Sequence, residues 1–549
     1  MAQAHPSGGT ARRRRVRGPA RALLAMLLTA LVVGGAVPYV SGTGRAYLSY
    51  LVLAEGEDAA GADLAGAASR AAGGQVVQEY PQIGAALVYA AGGFADRVRA
   101  RPGIAAVGAT RTAPVVAPPR AVAGAGDFTA GAGRGGGGEA GGGGDRADGE
   151  TTTVADPGEN GAWNLAMVGG AGVRAGDGST VSAGVAPSAE ALHRVLVAVL
   201  DSGVDDTHPD LRAAVDPKAS VSCADGRPDA RTGAWRPDPG VGESGHGTHV
   251  AGIVGAARDG HGVAGVAPGV RIAAVRLLGP LGQYYAENIV CGMLWAADHG
   301  ARAINNSYFA DPWKYNCPDD RDQAALIAAV GRATGYAQRK GAVVVASAGN
   351  DGQDLGAPRT DERSPNDRAS GAARVRHLGT ECVRLPGELP GVVTVTAVNR
   401  DGHPAGYSNY GRGRVSLAAP GGDPDGGPQG AIVSDWPGGQ YVALAGTSMA
   451  AAHVTGAVAV VAASHPELGA GGLAGVLAGA AVSGCPSGPR VCGERQYFGA
   501  GVLWLSGGFR EGGVAGGGPG GGAAGGGWFL GGAGGGGGAR GAGGGGQMT

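Results

Sequence analysis

The sequence predicts an α/β fold: a mostly parallel sheet flanked by helices on both faces, preceded by a small α+β domain. Three observations carry the prediction. From about Ala155 onward, strand-like and helix-like segments alternate. The strand-like segments VLVAVLD, VRIAAVR, AVVVAS and GVVTVTAV are rich in Val and Ala on both faces, as strands covered on both faces must be. Ahead of them, residues 46–116 carry a separate β-α-β-α-β order.

Taken in order, the chain begins with a basic flank at Arg12 to Arg15, Arg17 and Arg21. The apolar run ALLAMLLTALVVGGAV follows, from Ala22 to Val37. The run is short for a membrane span, so residues 1–42 read as an export signal peptide, with a retained N-terminal anchor as the rival. In residues 46–116, AYLSYLVLAEG alternates as a strand, DLAGAASRAAGG is a helix with a glycine stop, and QVVQEYPQIGAALVYA is a strand or hairpin. FADRVRARPG is a helix ended by Pro-Gly, and IAAVGATRTAPVV is a last strand. That order fits a ferredoxin-like domain, which by itself implies little about function.

Glycine is the compositional outlier, at 113 of 549 residues. Much of it lies in residues 117–154 and in the tail 507–549. Both stretches lack the apolar side chains needed to offset the entropy of ordering, so both read as disordered. Residues 155–506 remain as the large domain. The net charge of −1 gives no reason to expect nucleic acid as a partner. The 6 cysteines include no C-x-x-C pair, so a structural zinc site is not indicated. In an exported chain an even count predicts disulfides. Cys485 and Cys492, around the turn-rich PSGPRV, form the one pairing that spacing supports, while Cys382 is placed to tie down a loop.

Four polar residues punctuate the large domain. Asp201 closes the strand VLVAVLD, where a buried carboxylate needs a partner. His246 opens the helix-like HGTHVAG. Asn350 follows the strand AVVVAS. Ser448 sits between a Gly-Thr pair and an Ala-rich helical run, so its hydroxyl meets a helix's positive end. In open α/β sheets such strand ends and helix starts converge on one cleft.

The motifs AVLDSGVDDTHPDL, SGHGTHVAGIVGA, ASAGNDG and AGTSMAAAHVTGA, in this order, resemble those of the subtilisin-like serine proteases, the subtilases. The resemblance covers about Trp163 to Leu505. It implies that Ser448 is the nucleophile, His246 the general base and Asp201 its orienting acid, with Asn350 donating to the oxyanion. It also implies that residues 46–116 are an inhibitory propeptide, and that the chain cuts itself between Pro114 and Ala162, near Val116 to Val122. Ser307 and Gly349 on one side, and Gly279 and Gly282 on the other, match substrate-binding edges. The chemistry requires no cofactor. Asp210 and Asp259 are candidate ligands of a structural calcium. His249 and His453 are expected to be structural.

The chain departs from the family pattern in three places. Ala452 stands where the motif has proline, a change the first helical turns tolerate. Tyr308, Phe309 and Ala310 replace small residues after Ser307 and are expected to narrow the cleft. An insertion after Asn350 reaches to about Val392 and is expected to form a loop near the cleft. The resulting expectation is an extracellular, self-processing serine endopeptidase that needs no cofactor for its chemistry and is held at the wall or membrane if its anchor is retained. It would act as a monomer on peptide or protein substrates. A dedicated processing protease and an inactive binding protein are the alternatives.

Overall fold

A computed structural model describes residues 47–115, 158, 162–169, 187–242, 244–280, 282–367, 373–481 and 494–505. The expected signal peptide, the linker 117–154, the self-cleavage region after Val115, the tail 507–549 and the pair Cys485 and Cys492 lie outside these residues.

The N-terminal domain comprises β1 (Tyr47–Ala54), α1 (Ala59–Ala71), β2 (Gln75–Tyr80), β3 (Ala85–Ala91), α2 (Phe94–Arg99) and β4 (Ile104–Ala109). The middle segment is split into the antiparallel hairpin β2–β3, and the four-stranded sheet has the order β2-β3-β1-β4. Alternation sets its two faces. Tyr50, Val52 and Ala54 of β1 pack with Phe94 and Val98 of α2. Leu51 and Leu53 point the other way, into the core of the large domain.

The large domain opens with α3 (Trp163–Val168) and α4 (Ala189–His193), then runs β5 (Leu196–Asp201), β6 (Val221–Ser222), α5 (His246–Gly255) and β7 (Arg271–Arg276). It continues through α6 (Ala286–Asp298), β8 (Ala303–Asn306), α7 (Arg321–Arg339) and β9 (Val343–Ser347). The insertion holds the hairpin β10 (Arg359–Asp361) and β11 (Arg376–Leu378), followed by β12 (Val393–Val398) and β13 (Leu417–Pro420). The short α8 (Gly427–Gly430), the hairpin β14 (Ile432–Trp436) and β15 (Gln440–Leu444), and α9 (Thr447–Ser464), α10 (Ala470–Ala480) and α11 (Arg495–Phe498) complete it.

The central seven-stranded sheet has the order β13-β12-β9-β8-β5-β7-β6, and every pairing in it is parallel. All six residues of β5 are buried, which explains its unbroken apolar run. Helix α9 is buried almost all round, because small Ala and Gly side chains let it pass close behind the sheet. Helix α7 is amphipathic instead. Asp320 caps it by accepting the N–H groups of Asp322 (2.9 Å) and Gln323 (3.0 Å), and its Leu326, Val330 and Ala333 face inward.

Helices α6 and α7 carry the N-terminal domain. Leu51, Leu53, Tyr80, Ile83 and Leu87 join their side chains in one apolar cluster. At Gly108 of β4 a Cβ would lie 2.4 Å from the Asp322 carbonyl oxygen, so only glycine lets this strand lie against α7. Charged contacts frame the interface. Arg111 Nε donates to Glu287 Oε1 at 2.8 Å, with that carboxylate fully buried, and Arg99 pairs with Asp322 at 2.7 Å.

Candidate active site

The parallel sheet brings the ends of β5, β8 and β9 to one rim, where α5 and α9 begin. Asp201, the last residue of β5, is fully buried. Its Oδ1 accepts the Ser202 N–H at 2.7 Å and Nδ1–H of His246 at 2.8 Å. The Tyr284 hydroxyl donates to the same oxygen at 3.3 Å, whereas Oδ2 meets no donor. A buried carboxylate so placed is costly unless an imidazole shares its charge. That bond also fixes the tautomer of His246, leaving Nε2 as the basic nitrogen.

His246 is the first residue of α5. The helix reaches the strand because a Cβ on Gly247 would lie 2.4 Å from the Gly203 carbonyl and 3.0 Å from Asp201 Cβ. The Gly247 N–H donates to Ser202 Oγ at 2.9 Å, locking the two elements together.

Ser448 is the second residue of α9 and is nearly buried, at 8% exposure. Its Oγ donates to the Ser307 carbonyl at 3.3 Å, and the Ser307 hydroxyl returns a bond to the Ser448 carbonyl at 3.1 Å. Asn350, exposed just beyond β9, is oriented by Thr447. Its Oδ1 accepts the Thr447 N–H at 2.9 Å and the Thr447 hydroxyl at 2.7 Å. The same hydroxyl accepts the Gly349 N–H at 3.1 Å. Because Oδ1 is held by an N–H, the Asn350 amide nitrogen must face the Gly446–Ser448 turn, and it lies 3.3 Å from where a Gly446 Cβ would stand. Among the described residues, neither that Nδ2 nor the Ser448 N–H has a protein acceptor. Two uncommitted donors beside a hydroxyl at a helix start are an arrangement able to stabilise a developing negative oxygen.

The subtilase family profile, peptidase S8, matches residues 193–501 of this chain. The chain belongs to the subtilase family. It is 34% identical over 294 residues to fervidolysin of Fervidobacterium pennivorans, covering 50% of this chain but 35% of that protein's own length. It is 32% identical over 273 residues to subtilisin Savinase of Lederbergia lenta, covering 50% of this chain and 78% of the relative. Among solved structures, the epidermin leader peptide processing serine protease of Staphylococcus aureus shares the fold, with a TM-score of 0.58 and 20% identity over 84% of this chain and 97% of that one.

The remaining predicted residues of this subtilase have distinct environments. Gly282 has φ +79°, and its N–H closes a turn onto the Gly279 carbonyl at 3.0 Å. Gly349 has φ +105°, which favours glycine before Asn350. His249 Nε2–H donates to the Ile432 and Val442 carbonyls, and burial pushes its imidazole down to about 4. His453 is likewise pushed down to about 4 by burial, between the Met449 carbonyl and Asn164. Both stay neutral at pH 7 and serve packing.

Tyr308 is buried rather than standing in the cleft. Its ring stacks on Tyr284 at 4.9 Å, and its hydroxyl donates to Asn306 Oδ1 at 2.6 Å. The stack props the Tyr284 hydroxyl at Asp201, a contact with no signal in the sequence. The insertion is tied down by a Cys317–Cys382 disulfide, and a second disulfide joins Cys223 to Cys291. Asp367 of the insertion accepts the Thr112 N–H at 2.7 Å and the Ala113 N–H at 3.1 Å, so this loop holds the end of the N-terminal domain.

Asp210 is fully buried, and the metal-capable groups that meet it are His208 and Asp435. Asp259 is exposed, and its Oδ1 accepts the His261 N–H at 3.2 Å within its own loop. Calcium prefers six to eight oxygens, roughly, so an imidazole beside Asp210 and an outlying Asp259 fit it poorly. Asp435 meets no N–H or O–H donor; burial, then the facing Asp210 carboxylate, push its carboxyl up to about 9. Asp435 therefore keeps its proton at pH 7.

Proposed function

We propose that this chain is an exported serine endopeptidase that processes itself and hydrolyses peptide bonds through an acyl-enzyme. The observation that carries the reading is the Asp201–His246 bond at 2.8 Å, together with the two uncommitted donors beside the Ser448 hydroxyl. His246 takes the Ser448 proton as Oγ attacks the substrate carbonyl carbon. The carbonyl π electrons move onto oxygen, which the Ser448 N–H and Asn350 Nδ2 stabilise. The imidazolium, steadied by Asp201, then protonates the leaving amine as the C–N bond breaks. Water, deprotonated by His246, hydrolyses the acyl-enzyme. No cofactor takes part.

The N-terminal domain acts in this reading as an inhibitory propeptide, docked on α6 and α7 with its end held by Asp367. Self-cleavage falls beyond it, between residues 114 and 162. Export agrees with the two disulfides, which persist in oxidising compartments. The mature enzyme would work outside the cell as a monomer, with wall or membrane attachment if the N-terminal apolar run is retained.

Replacing Ser448 by Ala tests the reading. The variant should fold and melt as the parent does, yet lose about a million-fold in turnover and stay unprocessed. Full retained activity would reject the assignment. Narrow specificity is favoured by the disulfide-tied insertion around the cleft. A random peptide library distinguishes a dedicated processing enzyme, which cuts few sequences, from a scavenger that cuts many.

A further inference from the structure

Arg384 lies in the turn after the disulfide cysteine Cys382 and is only 6% exposed. Its Nε is buried without a partner, and among the described residues its guanidinium makes no hydrogen bond or ion pair. Nearby carboxylates are committed elsewhere. Asp351 pairs with Lys314. Glu388 holds Arg359 through both oxygens, at 2.6 and 3.1 Å. Asp311 accepts from Tyr284 N–H and from Asn366, each at 2.6 Å. The guanidinium instead lies 4.9 Å from the Phe309 ring centroid, and its Cζ and Nη1 are 3.2 Å from where a Cβ on Gly349 would stand.

A buried cation without an anion costs several kcal/mol, roughly, and one aromatic face returns about 0.5 to 2 kcal/mol of it. The location suggests what supplies the difference. Phe309 is two residues beyond Ser307, whose carbonyl accepts the Ser448 hydroxyl, and Gly349 immediately precedes Asn350. The leaving amine must face His246, which protonates it. In the peptidase reading, the residue whose carbonyl is attacked would place its side chain on the opposite side of Ser448 from His246, beside the Ser307 and Gly349 loops.

We infer that Arg384 is a specificity-determining residue that receives an acidic side chain, Asp or Glu, on the acyl side of the scissile bond. A guanidinium meets a carboxylate through two parallel N–H bonds, which an amide or an alkyl group cannot reproduce. The inference rests on the peptidase reading above and names its substrate class.

The test uses the full chain as secreted and internally quenched peptides that differ only in Glu, Gln or Leu at that position. Glu should exceed its isostere Gln by about 100-fold in kcat/KM. Arg384→Met should bring the two to near parity, and Arg384→Lys should restore part of the preference, which a merely structural arginine would not do. A fluorophosphonate probe at Ser448 is read in parallel. A protein that labels and cleaves, with Glu no better than Gln, overturns this inference alone. A protein that neither labels nor cleaves overturns the peptidase reading and this inference with it.

Discussion

Tyr284 shows how one side chain outside the motifs bears on the reaction. Its hydroxyl donates to Asp201 Oδ1, the same oxygen that holds His246. Removing that donor concentrates the carboxylate's charge on the imidazolium. Tyr284→Phe should therefore raise the His246 pKa and move the acid limb of the kcat/KM profile to higher pH, with a loss of less than about tenfold at the optimum. An unmoved acid limb would mean that the phenol is only a prop. Asp435 offers a second residue-level prediction. Its folded carboxyl is raised to about 9 while an unfolded one ionises near 4, roughly, so the cost to the fold is absent below pH ~4 and grows as pH rises toward 9. Asp435→Asn cannot ionise. Its melting temperature should gain on the parent's progressively from pH 4 to pH 9, roughly, in thermal melts across that range.

Among the elements, the insertion is the one most tied to function, since it touches the cleft side and the N-terminal domain at once. The Cys317–Cys382 bridge closes a separation of 65 residues. In the chain-entropy account its removal in a double Ala variant costs roughly 4 kcal/mol. Thermal melts should show that loss, together with broadened specificity as the loop loosens; an unchanged cleavage profile would separate the loop from substrate choice. The core strands and helices were legible because their patterns are dictated by burial. β5 reads as an unbroken apolar run because both faces are covered, and α7 reads with a helical period because one face is not. The disulfide pairings were not legible, since spacing along the chain says nothing of which loops fold back on which helices. Arg384 and Tyr284 escaped for the same reason: each matters through a neighbour far away in sequence.

At the scale of the whole molecule, the positions of the four motif residues at strand ends and helix starts were legible because such points share one rim of a parallel sheet. What sequence could not supply was the way the N-terminal domain docks. Arg111 inserts its guanidinium beside the fully buried Glu287 and over the Tyr285 ring at 4.0 Å. Arg111→Met leaves that carboxylate with only the Ser49 hydroxyl and no cation, and should weaken docking by about 3 kcal/mol. In a Ser448→Ala background, hydrogen exchange at β1 and α7 should accelerate accordingly; unchanged exchange would assign the docking energy to the apolar cluster alone. The central claim, that Ser448 is an activated nucleophile, is tested most directly by fluorophosphonate labelling followed by peptide mass analysis. The account predicts a single adduct on Ser448, lost in His246→Ala although the hydroxyl remains. Labelling elsewhere, or equal labelling of Ser448 without the imidazole, would contradict it.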